Sequence, residues 1–215
     1  MIKIIGVIQV KGGAGRSTVA TNLAGELSKQ AKTVLIDCDM PQGTSASWYA
    51  VRQQAGKAGN LVADTASTHH ELVAKVQKHS DAAYIVLDGP PRIAELTRAI
   101  LVLADLCLVP VGASAAEIWA TGDVLTLLAE AKKLKIINAR LIWTRHRAHT
   151  RLAQELTDQA EKELGLPAMR SALGMRVAYM EALGTGLTVA ELSDQNAKAE
   201  LSFLIAESQR ILRKS

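Results

Sequence analysis

Aromatic side chains are scarce, at 3% of the 215 residues, against a hydrophobic content of 48%. Any core must therefore be built from Leu, Ile, Val and Ala, which suits strands buried on both faces of a parallel sheet. Only two cysteines occur, Cys38 and Cys107, each inside an apolar run. No metal-ligand spacing such as CxxC exists, so two buried free thiols in a reducing cytosol are the favoured reading. No apolar run approaches the roughly 18 residues of a membrane span. The chain opens directly on a strand-like run, Met1–Ile8, with no basic n-region and cleavage site ahead of it. A cytoplasmic location is expected. Charge is nearly balanced, with 25 Lys and Arg against 21 Asp and Glu and a net charge of +4. That balance permits a polyanionic partner without requiring one.

Short aliphatic runs alternate with amphipathic stretches. Strands are expected at Lys3–Val10, Thr33–Asp37, Asn60–Ala63, Tyr84–Asp88, Leu106–Val111 and Ala139–Thr144. Helical spacing covers 17–30, 44–57, 68–80, 92–104, 115–134 and 149–164. Beyond Pro167 follow a short apolar segment, a helical turn at Val177–Leu183 and a last helix from Asp194 to Lys214. This alternation implies βαβ units in an α/β fold, a mostly parallel central sheet with helices on both faces. Repeats and linker-like tracts are absent, so residues 1–215 read as one domain. The first strand begins too early to leave room for an N-terminal helix-turn-helix.

The sharpest motif is Lys11-Gly12-Gly13-Ala14-Gly15-Arg16-Ser17-Thr18, set between an aliphatic strand and a helical stretch. That is the setting of a phosphate-binding loop. Glycines let backbone N–H groups turn toward phosphate, and the helix N-terminus adds its dipole. Ser17 is placed to offer its hydroxyl to Mg²⁺, and Thr18 to reach an inner phosphate. A Gly-rich turn with no ligand is the bland alternative; three glycines, two hydroxyls and two cations with these flanks argue against it.

The string resembles the deviant Walker A box of the ParA/MinD group, K-G-G-x-G-K-S/T-S/T, with Lys11 at the signature lysine. In that family the lysine reaches the nucleotide of the facing subunit in an ATP-sandwich dimer. Arg16 stands where the family has the lysine that holds the β- and γ-phosphates. An arginine fork is bulkier than an ammonium, so binding is expected to survive and hydrolysis to be slow. The resemblance thus implies a P-loop NTPase-like fold, with ATP and Mg²⁺ as cofactors. Gly12, Gly13, Ala14, Gly15, Arg16, Ser17 and Thr18 would form the phosphate site, and Lys11 and Arg16 would serve hydrolysis.

Further stretches extend the likeness over nearly the whole chain. Asp37-Cys38-Asp39-Met40-Pro41-Gln42-Gly43 resembles the family's D-x-D-P-Q-G, with one extra residue, Met40. A gap-free register would put Cys38 and Met40 at the two acidic positions. The gapped register is preferred, because Val34-Leu35-Ile36 makes a buried strand ending at Asp37. The resemblance then implies Asp39 as the water-positioning residue and Asp37 as the inner, metal-side one, although a strand-end or helix-cap role for either stays open. Tyr84–Pro91 resembles a Walker B segment, with Asp88 on the metal side. Ala104–Val111, Ser114–Ala120 and Arg176–Glu191 resemble later family stretches. The family's adenine-side Asn is replaced by Thr144, which could still bond a base.

A basic run follows Thr144, with Arg145, His146, Arg147, His149 and Arg151. Together with Arg140, Lys132, Lys133, Lys135, Arg210, Arg213 and Lys214, it could form a surface for DNA without sequence readout; a solvated helix face is the alternative. Arg145, Arg147 and Arg151 are the chosen DNA contacts. By resemblance, the expected activity is that of a partition ATPase for plasmid or chromosome segregation. It would form an ATP-dependent homodimer on the nucleoid, regulated by a ParB-like centromere-binding adaptor. A nucleotide-binding scaffold with weak turnover and a MinD-like membrane switch are the other readings. Against the latter, the last helix has the spacing of a core helix and only three terminal cations, so no membrane partner is expected.

Overall fold

A computed structural model describes residues 2–92, 95–146 and 160–214. Seven strands form one sheet: β1 (Lys3–Val7), β2 (Thr33–Asp37), β3 (Leu61–Thr65), β4 (Tyr84–Asp88), β5 (Leu106–Gly112), β6 (Ala139–His146) and β7 (Ala168–Gly174). Their order is β3-β2-β4-β1-β5-β6-β7, and every pairing is parallel. The aliphatic alternation implied this parallel α/β sheet, and the resemblance implied its P-loop NTPase-like form.

Period-two burial sorts the side chains into two cores. Ile4, Val34, Ile36, Ile85, Leu87, Val109 and Leu141 face one layer. Ile5, Val7, Leu35, Val86, Leu108 and Ile142 face the other. The first layer is covered by α3 (His69–Lys78), α4 (Glu95–Leu103), α5 (Ala115–Trp119) and α6 (Gly122–Ala131). The second is covered by α1 (Arg16–Leu27), α2 (Thr44–Gln54), the helix Val177–Thr185 and the last helix, Gln195–Leu212. Gly6 lets α4 approach β1, since a Cβ there would lie 2.7 Å from the Ile100 side chain. Cys38 and Cys107 are buried and unpaired, as expected. Burial pushes both thiols up, Cys107 to about 12.

Several local expectations are corrected. β1 stops at Val7 rather than Val10, because the chain then turns into the glycine loop and the Gln9 amide bonds Pro110 O and the Thr121 hydroxyl. The helix expected over 115–134 is two helices, broken at Ala120–Thr121; the Thr121 hydroxyl donates to Glu117 O at the break. The short apolar segment after Pro167 is a seventh strand, β7. Of the helix expected at 149–164, only 160–164 lies within the described residues and is helical.

The last helix is capped by Asp194, whose carboxylate accepts from the amides of Asn196 and Ala197. It buries Leu201, Leu204, Ile205, Ile211 and Leu212 against the sheet and leaves Phe203 exposed. Among the described residues no helix is long and apolar enough to cross a membrane.

Candidate functional site

The strand order reverses around β1, and ligands of open α/β sheets bind beyond the carboxyl ends of the strands at such a point. Here the register Val7↔Asp88 and Asp37↔Asp88 sets the ends of β1, β4 and β2 side by side. The glycine loop runs from β1 into α1 across this edge. Gly13 and Gly15 adopt φ of 74° and 95°, which an L side chain resists. At Gly15 a Cβ would also lie 3.3 Å from Thr144. The first intrahelical bond of α1 is Val19 N to Gly15 O. The amides of Arg16, Ser17 and Thr18 precede it and point out of the helix start, where an anion is favoured.

Arg16 is almost fully buried. Its Nε donates to Gly89 O at 2.8 Å, and one terminal nitrogen donates to Gln9 O at 2.7 Å and to Lys11 O at 2.8 Å. The other lies 3.4 Å from the Asp39 carboxylate. The guanidinium thus ties the loop to the end of β4 and holds Asp39 beside it.

Asp88 is fully buried, with Oδ2 accepting from the Ser45 hydroxyl at 2.6 Å and Oδ1 unpartnered. Burial above all, with the Asp37 charge adding to it, pushes its pKa up to about 7; the Ser45 and Ser17 hydroxyls and Arg16 pull the other way. An orphaned carboxylate oxygen beside a serine hydroxyl fits a Mg²⁺ ion that keeps several waters. Among the described residues no group of three or more His, Cys, Asp or Glu side chains is placed to hold a metal ion by itself. Asp37 is differently employed: Oδ1 accepts from Asp39 N and Oδ2 from Ala46 N, both at 2.9 Å. Its carboxylate anchors the connection into α2 and contributes charge next to Asp88. Cys38 packs into the core beside these acids, and Gly43 N closes a turn onto Asp39 O around the extra Met40.

The raised pKa gives a pH dependence whose sign can be worked out. Between the ordinary value of 3.8 and about 7, the folded chain keeps a proton on Asp88 that the unfolded chain has lost. Stability without ligand therefore declines as pH rises through that window and levels off above it. A cation needs the carboxylate, so the gain in melting temperature from Mg²⁺ with ATP is expected to be larger above pH 7 than below it. Asp88→Asn should remove the difference; a gain that stays constant with pH in the unsubstituted chain would contradict this assignment.

Lys11 reaches across to α5, where its Nζ lies 2.7 Å from Glu117 Oε1. Arg145, in a left-handed conformation with φ of 51°, shares the same oxygen at 3.2 Å. Gly112 leaves the room they need, since a Cβ there would lie 2.7 Å from the Arg145 guanidinium. The Thr144 hydroxyl donates to Ala14 O at 2.9 Å, so it braces the loop rather than standing free.

Beside Gly13, Gly15 and Thr18 opens a cavity of about 350 Å³, walled by Met175, Arg176, Val177, Tyr179 and Met180. Its place at the ends of β6 and β7 and its mostly apolar lining suit a nucleoside base. Sequence reasoning missed these wall residues. Arg176 and Val177 begin the Arg176–Glu191 stretch that resembles the family, but nothing in that pattern marks a pocket.

Among the described residues, the basic side chains on either side of β6 do not share one surface. Lys132, Lys133 and Lys135 lie before β6, at the edge of the sheet opposite the glycine loop, and β6 separates them from Arg145. Lys135 is spent on the carbonyls of Val102 and Ala104, and Arg140 bonds Ala139 O. Arg145 faces Glu117 in the site. Arg147, His149 and Arg151 lie outside the described residues.

A family model described as an AAA domain matches residues 2–83. The maintenance of carboxysome distribution protein A of Halothiobacillus neapolitanus is 24% identical over 91% of this chain and 90% of its own length. The chromosome-partitioning ATPase Soj of Thermus thermophilus is 28% identical over 96% of this chain and 94% of its own. Solved structures of Cyanothece McdA, one without nucleotide and one an ATP complex, have the same fold, with TM-scores of 0.81 and 0.80 at 17% identity. Each covers 97% of this chain, and 100% and 96% of the respective McdA chain is matched.

Proposed function

We propose that this ParA/MinD-type ATPase is a DNA-based partition or positioning switch. In this reading ATP and Mg²⁺ bind at the glycine loop, two copies close over the nucleotides, and the dimer holds DNA without reading its sequence. A ParB-like centromere-binding adaptor, or an equivalent adaptor on a protein cargo, then triggers hydrolysis and release. The observation that carries the reading is Lys11, held on Glu117 at the rim of the loop rather than inside it. A cation there is placed to reach outward. Exposed Trp119, Met175, Val177 and Met180 stand on the elements around that rim, which suits a face that another protein surface covers. The relatives named for chromosome partition and for carboxysome distribution support both kinds of cargo. The nucleoid within the cytoplasm is the location this reading implies.

Asp39, beside Arg16 at the mouth of the site, is the residue we assign to positioning the attacking water. Asp88 and Ser17 hold the metal, with Asp37 supporting them. The proposed DNA contacts remain Arg145, Arg147 and Arg151. Two copies double the phosphate contacts, so affinity in the ATP state should exceed that of the apo state and fall steeply with salt. Alanine at each of the three arginines should weaken binding about equally on unrelated sequences. Fluorescence anisotropy with two unrelated duplexes over a salt series tests this. Equal affinity with and without ATP, or strong preference for one duplex, would contradict it.

A further inference from the structure

Glu200, on the last helix, holds three points of the cavity wall with one carboxylate. Oε2 accepts from Gly174 N at 2.9 Å and from the Tyr179 hydroxyl at 2.8 Å. Oε1 accepts from Arg176 Nε at 2.8 Å, with Nη2 at 2.7 Å. Gly174, Arg176 and Tyr179 all line the 350 Å³ cavity beside the glycine loop, whereas Glu200 stands behind them. The segment they span leaves β7, turns, and enters the helix Val177–Thr185 without a side-chain cap on its Arg176 N-cap. Among the described residues the turn is also held by Met175 N, which bonds His146 O, and by a longer contact of 3.9 Å between Arg176 and Asp194.

We infer that Glu200 is a positioning residue for the base of the bound nucleotide: it fixes the wall that the base stacks against while touching no part of the ligand itself. This rests on the nucleotide reading of the site and adds a division of labour to it. The glycine loop, Arg16 and Asp88 would hold the triphosphate and the metal. The carboxylate on the distant last helix would set the shape and rigidity of the base cavity. Charged hydrogen bonds of this kind are stronger than neutral ones, and three converge on one group. Losing them lets the turn relax, so the ligand must order it again on binding.

Glu200→Gln keeps the size of the side chain but turns an amide NH₂ toward groups that are themselves donors. Tyr179→Phe removes one arm and keeps the ring in the wall. Isothermal titration with MgATP and with magnesium tripolyphosphate separates the two halves of the site. Glu200→Gln is expected to weaken MgATP by about tenfold and Tyr179→Phe by about threefold. Tripolyphosphate, which has no base, should bind both variants as it binds the unsubstituted chain. Equal losses for both ligands would mean general loosening and overturn the inference, as would no loss for either. Should Glu200→Gln not fold, Tyr179→Phe alone decides between these outcomes. If the unsubstituted chain binds tripolyphosphate as tightly as ATP, the base cavity is wrong while the phosphate site stands. If it binds neither, the nucleotide reading itself fails, and the inference with it.

Discussion

Arg16→Lys is expected to raise the single-turnover hydrolysis rate by about tenfold or more, with nucleotide affinity changed much less. Phosphoryl transfer needs positive charge at the oxygens where negative charge spreads, and a displacement of about 1 Å can cost on the order of a hundredfold. The Arg16 guanidinium is spread over the carbonyls of Gln9, Lys11 and Gly89 and reaches toward Asp39. Held in that plane, it serves the loop and also partners the carboxylate assigned to the water. A lysine ammonium is compact and can sit between the β- and γ-phosphates, which frees Asp39. Binding depends more on the helix-start amides and Mg²⁺, which the exchange leaves in place. Arg16→Ala is the harsher change: it takes a donor from the buried carbonyls of Gln9 and Gly89, from Lys11 O and from a carboxylate, at about 1–3 kcal/mol for each buried group left unsatisfied, and should lose both binding and turnover. A faster unsubstituted enzyme than Arg16→Lys would show that the loop has adapted to arginine, with Lys11 supplying the missing charge.

Lys11→Ala is expected to abolish the ATP-dependent dimer while leaving nucleotide binding to the single chain within about threefold. Lys11 is more than a third exposed and paired to Glu117, an interaction of the kind that contributes about 0–1 kcal/mol. In the closed dimer the ammonium would meet phosphate charge in a site from which water is excluded, where the loss of one partner costs far more than at a surface. The prediction therefore separates a cation that acts between subunits from one that only supports its own loop. A comparable loss of nucleotide affinity in the monomer would point to the second role.

What could be read from the sequence was what is local in the chain. The glycine loop, its helix and the strand ends at Asp37 and Asp88 are each written within a dozen residues, and burial on both faces makes their strands continuous aliphatic runs. β7 escaped because Met169, Ser171 and Leu173 alternate only weakly with their neighbours. Its outer edge is satisfied instead by Glu207, which accepts from the amides of Arg170 and Ser171. Glu200 escaped for the same reason: its partners lie 21 to 26 residues earlier, and nothing in a helical repeat marks one glutamate as turned toward a pocket. At the break between α5 and α6 the Thr121 hydroxyl accepts from Gln9 of the loop, more than a hundred residues away. Basic residues that looked like one cluster are divided by β6, because a strand carries its two ends to opposite edges of the sheet. Asp37 was legible as a strand-end carboxylate, but its anchoring of Asp39 and Ala46 required coordinates.

The central claim is an ATP-closed pair of subunits, and multi-angle light scattering with Mg²⁺ tests it most directly. With a non-hydrolysable ATP analogue, the mass should rise from that of the 23.0 kDa chain to about twice that value over a concentration series. With ADP, or with no nucleotide, it should remain that of one chain. A nucleotide-saturated protein that stays monomeric at every concentration, or a dimer that forms equally without nucleotide, would contradict the account.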